Sequence, residues 1–168
     1  AVFMPSNHHS GFDRSFGEAL DLHNNGQIDE AILRYRNLLE TTPDNPDLWN
    51  LLGVAAHQKS KNALAENLIS TAISLNEDIS DYHNNLGMAY YSIEKYEDAV
   101  AALSIAIDRN KKLMPAYEAK IYAQIAIKKY EEAVQTAKLA VLKEKSGITY
   151  YNLGVANDSL KQYKEAVY

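Results

Sequence analysis

Few side chains in this sequence could ligate a metal, pass a proton or attack an electrophile, and those present are scattered. Of the five histidines, His8 and His9 are adjacent near the start, while His23, His57 and His83 lie far apart. A metal site built on one helix needs ligands three or four positions apart, so these read as satisfied or solvent-facing imidazoles. His57 and His83 fall on neighbouring helical stretches and are the one pair that tertiary structure could bring together. Cysteine is absent, which removes disulfides, thiolate ligands and a thiol nucleophile. Paired acids such as Glu131-Glu132 open a helical stretch, where negative charge suits the helix dipole without any acid–base role. There is no glycine-rich phosphate loop, no Gly-x-Ser-x-Gly and no Ser/His/Asp arrangement. The residues imply no catalytic centre, no metal and no cofactor, and the expected class is a binding protein rather than an enzyme.

The elements that would position any binding residues are set by a repeat. Ala31, Ala65, Ala99, Ala133 and Ala166 are separated by 34, 34, 34 and 33 positions. Ahead of them run Trp49-x-x-Leu52-Gly53-x-x-Ala56, His83-x-x-Leu86-Gly87-x-x-Tyr90 and Tyr150-x-x-Leu153-Gly154-x-x-Asn157. Behind the first three alanines, Tyr35, Ile69 and Leu103 follow at four positions, and Pro43 closes the first unit. Each unit holds two stretches with apolar residues at three-and-four intervals, as Leu86, Tyr90 and Ile93, then Val100, Leu103 and Ile107. The spacing predicts helices over 13–25 and 28–41, 46–59 and 62–75, 80–93 and 96–109, 114–127 and 130–143, and 147–160 with a further helix from about 163. Asp44-Asn45-Pro46-Asp47 supplies a turn and a helix start, and Gly147 after Lys143 and Lys145 supplies a stop. Small residues such as Gly87 and Ala99 let paired helices approach closely. One pair leaves an apolar face open, so neighbouring pairs must stack.

These slots resemble the tetratricopeptide repeat, or TPR, over residues 12–168. The resemblance implies an all-α superhelix of antiparallel helix pairs, about four and a half repeats at 12–45, 46–79, 80–113, 114–146 and a truncated 147–168, after a flexible leader at 1–11. It also implies a concave groove lined by the first helix of each pair, which holds a peptide or protein ligand. Carried onto this chain, the groove slots are Asn50, Val54, His57 and Gln58, then Asn84, Asn85, Met88 and Tyr91. Glu118, Tyr122 and Ile125 follow, and then Tyr151, Asn152, Val155 and Asp158. That wall is amide-rich, aromatic and nearly neutral; amides can satisfy the backbone of an extended peptide, and tyrosines add apolar area with a polar tip. Asn85 and Asn152 occupy the slot of the asparagine ladder found in sugar-transferring members, but Gly17, Leu51 and Ala119 interrupt it. The Lys and Arg set with which co-chaperone modules hold a C-terminal carboxylate is missing, since Phe16, Leu20, Leu51, Asn84 and Met88 stand near those places. The expected function is a protein-interaction scaffold. The alternative is a recognition or oligomerisation arm of a larger enzyme, because the repeats are also similar to those ahead of glycosyltransferases of the O-GlcNAc-transferase type and of some sulfotransferases.

Composition fits a cytoplasmic module of 168 residues with net charge −5 and 46% hydrophobic content. Residues 1–84 carry 5 Lys+Arg against 12 Asp+Glu, giving −7, and residues 85–168 carry 12 against 10, giving +2. This excess is too small for a nucleic-acid stripe, no stretch is apolar enough to span a membrane, and no secretory signal is recognisable. Charge complementarity between the two halves would instead suit self-association. Two departures from the repeat carry expectations of their own. Lys120-Ile121 replaces Leu-Gly, which should hold the helices of the fourth pair further apart, Ala137 in place of the large residue partly offsets the crowding, and a local change in curvature is expected there. The fifth unit stops at Tyr168 without a capping helix, so an apolar strip around Tyr150, Leu153 and Leu160 should be exposed and open to self-association.

Overall fold

Residues sixteen positions apart meet at the crossing of each helix pair, and one of the two is small. The computed structural model describes residues 11–168, so the expected leader lies outside the described residues except for Gly11. Among them are nine helices and no strand: α1 (Phe12–Asn24), α2 (Ile28–Thr41), α3 (Pro46–Gln58), α4 (Asn62–Leu75), α5 (Ser80–Ser92), α6 (Tyr96–Arg109), α7 (Met114–Ala126), α8 (Tyr130–Lys143) and α9 (Gly147–Val167). They group into two compact units that divide after Glu77. In the first, α1 packs on α2, α3 on α4 and α2 on α3; in the second, α5 through α9 pack each on the next.

The crossing pairs explain how closely the helices approach. A Cβ added to Gly87 would lie 2.6 Å from Leu103 Cγ, and one on Gly53 would be nearer still to Ile69. The glycines are therefore required for close approach. In α1–α2 the pair is Ala19 with Tyr35, whose hydroxyl oxygen lies 3.4 Å from the Ala19 carbonyl oxygen. In α7–α8 the sizes are exchanged: Ile121 and Ala137 are fully buried in one cluster with Ala133, Val134 and Ala156. Fewer backbone positions come close together in α1–α2 and α7–α8 than in the two glycine-bearing pairs. In the fourth pair the exchange keeps the core filled.

The joints within the pairs repeat as faithfully as the crossings. Gly26, Ser60, Glu94 and Lys128 all have positive φ, at 81°, 57°, 60° and 63°. The next N–H then reaches back five residues: Gln27 to Leu22 O, Lys61 to Ala56 O, Lys95 to Tyr90 O and Lys129 to Gln124 O, at 2.8–3.0 Å. This is a Schellman closure, which satisfies carbonyls that the helix end leaves unpaired. Only the first joint uses glycine; the other three hold L side chains in a conformation that costs each about 1–2 kcal/mol. Between repeats the joints differ in kind. Asn45 caps α3 by accepting from Asp47 N at 3.0 Å, with Pro46 as the first helical residue and the Trp49 indole N–H on Pro43 O at 2.8 Å.

Three expectations are corrected. Gly147 does not stop α8: Glu144 ends it in an extended conformation, and Ser146 then caps α9 in a reciprocal capping box with Thr149, of which Gly147 is the first residue. The helix predicted over 147–160 does not turn near 161, since α9 runs unbroken to Val167. Lys161 stands in register with Lys128. A left-handed residue there would be strained, and Lys161 instead stays within the intrahelical ladder. The expected exposed strip is only partly exposed: Tyr150 faces solvent, whereas Leu153 and Leu160 pack half-buried on the Ile121 cluster. Further along α9, Tyr163 lies against Tyr130 with ring centroids 5.0 Å apart.

The crossing argument predicts that Gly87→Ile destabilises the chain by about 1–3 kcal/mol through overpacking, and that adding Leu103→Ala restores much of the loss by copying the Ile121–Ala137 arrangement. Urea denaturation followed by circular dichroism would measure the coupling, and strict additivity would refute it. Glu94→Gly and Lys128→Gly should each be neutral or stabilising by up to about 1 kcal/mol, because relief of the left-handed strain competes with greater freedom of the unfolded chain. A loss of more than about 1 kcal/mol in the same measurement would contradict that.

Candidate functional site

In the first unit the residues expected to line a groove are largely engaged with the protein itself. Asn50 is only 5% exposed and belongs to the interior of α3. Val54 is half-buried, and His57 Nδ1 lies 3.2 Å from Asn62 Oδ1 on the next helix. Gln58 is exposed, but its Oε1 is 2.9 Å from His23 Nε2. His23 Nδ1 lies in turn 3.0 Å from the Tyr35 hydroxyl, so three side chains tie α1, α2 and α3 together. A neutral imidazole with its proton on Nε2 donates to the glutamine oxygen and accepts from the tyrosine, which satisfies each group once. Burial holds the His23 pKa below the usual histidine range, opposed by the Gln58 hydrogen bond, and burial also pushes the Tyr35 phenol up. This is an internal polar tie rather than a reactive centre. Neither periodicity nor motif singled out His23, because its partners lie twelve and thirty-five residues away.

The second unit brings more of the expected residues to a common face. Its first helices lie side by side, α5 beside α7 and α7 beside α9. Met88 and Tyr91 from α5 are half-buried against the cluster centred on Leu103 and Tyr117, and the Tyr91 ring meets Tyr96 edge-on at 5.3 Å. The Tyr122 hydroxyl donates to Asn152 Oδ1 at 3.3 Å, linking α7 to α9. Burial first, and then Tyr151, Glu118 and Tyr91, raise the Tyr122 pKa, each acting on Tyr122. Tyr151, Glu118 and Asp158 are exposed, Asn85, Ile125 and Val155 are half-buried, and Asn152 is only 4% exposed. Asn152 therefore holds Tyr122 in place instead of meeting a ligand. The Asn84 Oδ1 is buried with no hydrogen-bond partner among the described residues.

Other buried polar groups fall outside these slots. The Thr136 hydroxyl lies 2.8 Å from Gln124 Oε1 and 3.0 Å from Glu132 O, bridging α8 to α7. Lys120, in the slot usually held by leucine, has its pKa lowered by burial, against the raising influence of Asp108 and Glu132. It replaces an apolar contact by a stem that packs and a charge that reaches toward acids. Among the described residues no group of three or more His, Asp or Glu could hold a metal ion, and His57 and His83 form no such group. No described helix is long and apolar enough to cross a membrane.

The class is settled by family models: a TPR repeat model matches residues 19–60, and a tetratricopeptide repeat model matches 59–115 and 84–148. The chain belongs to the tetratricopeptide repeat family. No curated protein sequence matches it. Among solved structures it is similar to MamA, at 20% identity over 93% of this chain and 86% of that one, with a TM-score of 0.78. It is also similar to an O-GlcNAc transferase of Thermobaculum terrenum, at 19% identity and TM-score 0.74, covering 83% of this chain but 27% of the transferase. The first TPR of Spaghetti (RPAP3), solved with the HSP90 peptide SRMEEVD, matches at 18% identity over 70% of this chain and 94% of that one, with a TM-score of 0.64. At these identities the likeness is one of fold.

The buried histidine makes stability depend on pH with a definite sign. Its folded pKa is lowered, so as the pH falls below the unfolded value of about 6.5 the unfolded chain takes up a proton that the folded chain refuses. Stability is fully present above that value and declines on acidification, by at most about 1.4 kcal/mol per pH unit, until the folded histidine also protonates. Melts of the native chain and of His23→Gln across pH 7.5 to 5 should show a steeper acid loss in the native chain; parallel curves would refute the assignment.

Proposed function

We propose that the chain is a protein-interaction module that holds a peptide or protein segment along the face formed by α5, α7 and α9. The observation carrying this reading is the bond between Tyr122 of α7 and Asn152 of α9, on helices α5, α7 and α9 that lie side by side, with Tyr91 half-buried and Tyr151 exposed. Partly buried tyrosines contribute apolar area at small entropic cost, and a braced ring loses little more on binding. Asn85 and Asn84, both half-buried on α5, would supply amides for the partner's backbone. Peptide binding by another member of the fold, the first TPR of Spaghetti (RPAP3), supports the general use of such a face. The segment is not recognised by chemistry at a reacting atom, so this module would bind without turnover.

The alternative role, a recognition arm of a larger glycosyltransferase, would use the same face. It differs in what the polypeptide is joined to: a nucleotide-sugar-binding domain in the same reading frame decides for it, and further repeats alone decide against it.

Capture of a partner by the native chain should weaken about tenfold or more with Tyr122→Ala, and less with Asn85→Ala, while circular dichroism stays unchanged. Undiminished capture by both variants would move the contact away from this face.

A further inference from the structure

The first unit has a depression in its layer of second helices. Between the second helices α2 and α4, above α3, lies a cavity of about 360 Å³, within the range of about 300–1,000 Å³ typical of ligand pockets. Its floor is apolar, made by Ile32, Leu52, Ala56 and Leu68, and its walls include Leu33 and Leu64, which are 60% and 43% exposed. Large leucines left in water on both sides of a depression are surface that an apolar side chain can cover.

The rim has the opposite charge to the unit that bears it. Residues 1–77 contain 5 Lys+Arg against 10 Asp+Glu, a net −5, yet three of those five cations, Arg36, Lys59 and Lys61, line this cavity with a single acid, Asp29. Asp29 forms an ion pair with Lys59, and Lys59 and Lys61 hold its carboxyl below the usual carboxylate range. Arg36 and Lys61 have no ion-pair partner among the described residues. Asp29 therefore stands as an internal competitor for one cation, and two others remain open beside an apolar floor.

We propose that this cavity between α2 and α4 is a docking site for an acidic peptide of a partner protein, one that seats a large apolar side chain between Leu33 and Leu64 and sets flanking carboxylates on Arg36 and Lys61. Charge complementarity selects the occupant, since a basic or neutral segment would leave those cations unanswered, and the apolar floor gives little to a small anion alone. The site is separate from the face of α5, α7 and α9 and does not depend on it.

The test uses the full chain and a fluorescein-labelled, amidated probe peptide Glu-Asp-Leu-Phe-Asp-Glu, read by fluorescence anisotropy. Binding is expected, weakened about tenfold by combined Arg36→Glu and Lys61→Glu, and tightened about threefold by Asp29→Asn, which frees Lys59. Replacing the probe's Leu and Phe by Ser should abolish binding, and Tyr122→Ala should leave it unchanged. All substituted residues are at the surface, and circular dichroism would show that the fold persists. Absence of binding, equal binding of a probe with Lys in place of its acids, indifference to the charge reversals, or loss in Tyr122→Ala would each overturn the proposal.

Discussion

Where two antiparallel helices cross, one of the two facing side chains must be small, and their combined size sets how closely the axes approach. Gly53 with Ile69, Gly87 with Leu103, Ala19 with Tyr35 and Ile121 with Ala137 are four solutions to that one condition. The total matters more than which helix provides the bulk, because the interior is close-packed and tolerates neither void nor overlap. Glycine on the first helix brings the backbones together; a bulkier residue there is admitted when the second helix yields its own side chain. Gly154 has nothing within 4 Å of where its Cβ would be, since α9 continues straight and no second helix crosses it.

That crossing only works if the chain reverses sharply, and the reversals follow from backbone chemistry more than from residue identity. Three of the four left-handed joints carry Ser60, Glu94 and Lys128, residues with no preference for positive φ. They remain there because the five-residue return bond and the packing of the following helix outweigh the strain. At the same register position in the last repeat, Lys161 stays helical. A turn in this family is thus a tertiary product, over-determined by the helix it introduces.

The interior also explains why a surface deduced from slots is thinner than it looks. Asn50 and Asn152 sit in groove positions yet are buried, and Gln58 is bound to His23. In the first unit polar side chains of the inner layer are consumed in holding α1, α2 and α3 together. In the second, Tyr122 and Asn152 hold each other, which leaves Tyr151 and Glu118 as the exposed part of a braced group. Ligand-facing chemistry and helix-to-helix ties draw on the same residues, and a position's slot does not say which use it serves.

The helices α1 to α8 were legible within a residue or two, because a 34-residue period and apolar spacing of three and four are local properties that each repeat states again. The Asn45-Pro46 start was equally plain, since a cap and a ring-fixed φ act within a few residues. Gly147 misled for the opposite reason: a glycine near a helix end is compatible with a stop or a start, and the Ser146–Thr149 capping box decides between them. The tie of His23 to Tyr35 and Gln58, the company of Tyr91, Glu118, Tyr122 and Tyr151, and the cations gathered between α2 and α4 came only from folding. Each joins residues from separate helices, and which side chains meet across a helix packing is set by axial rotation and offset of a fraction of a turn, quantities that no linear spacing records.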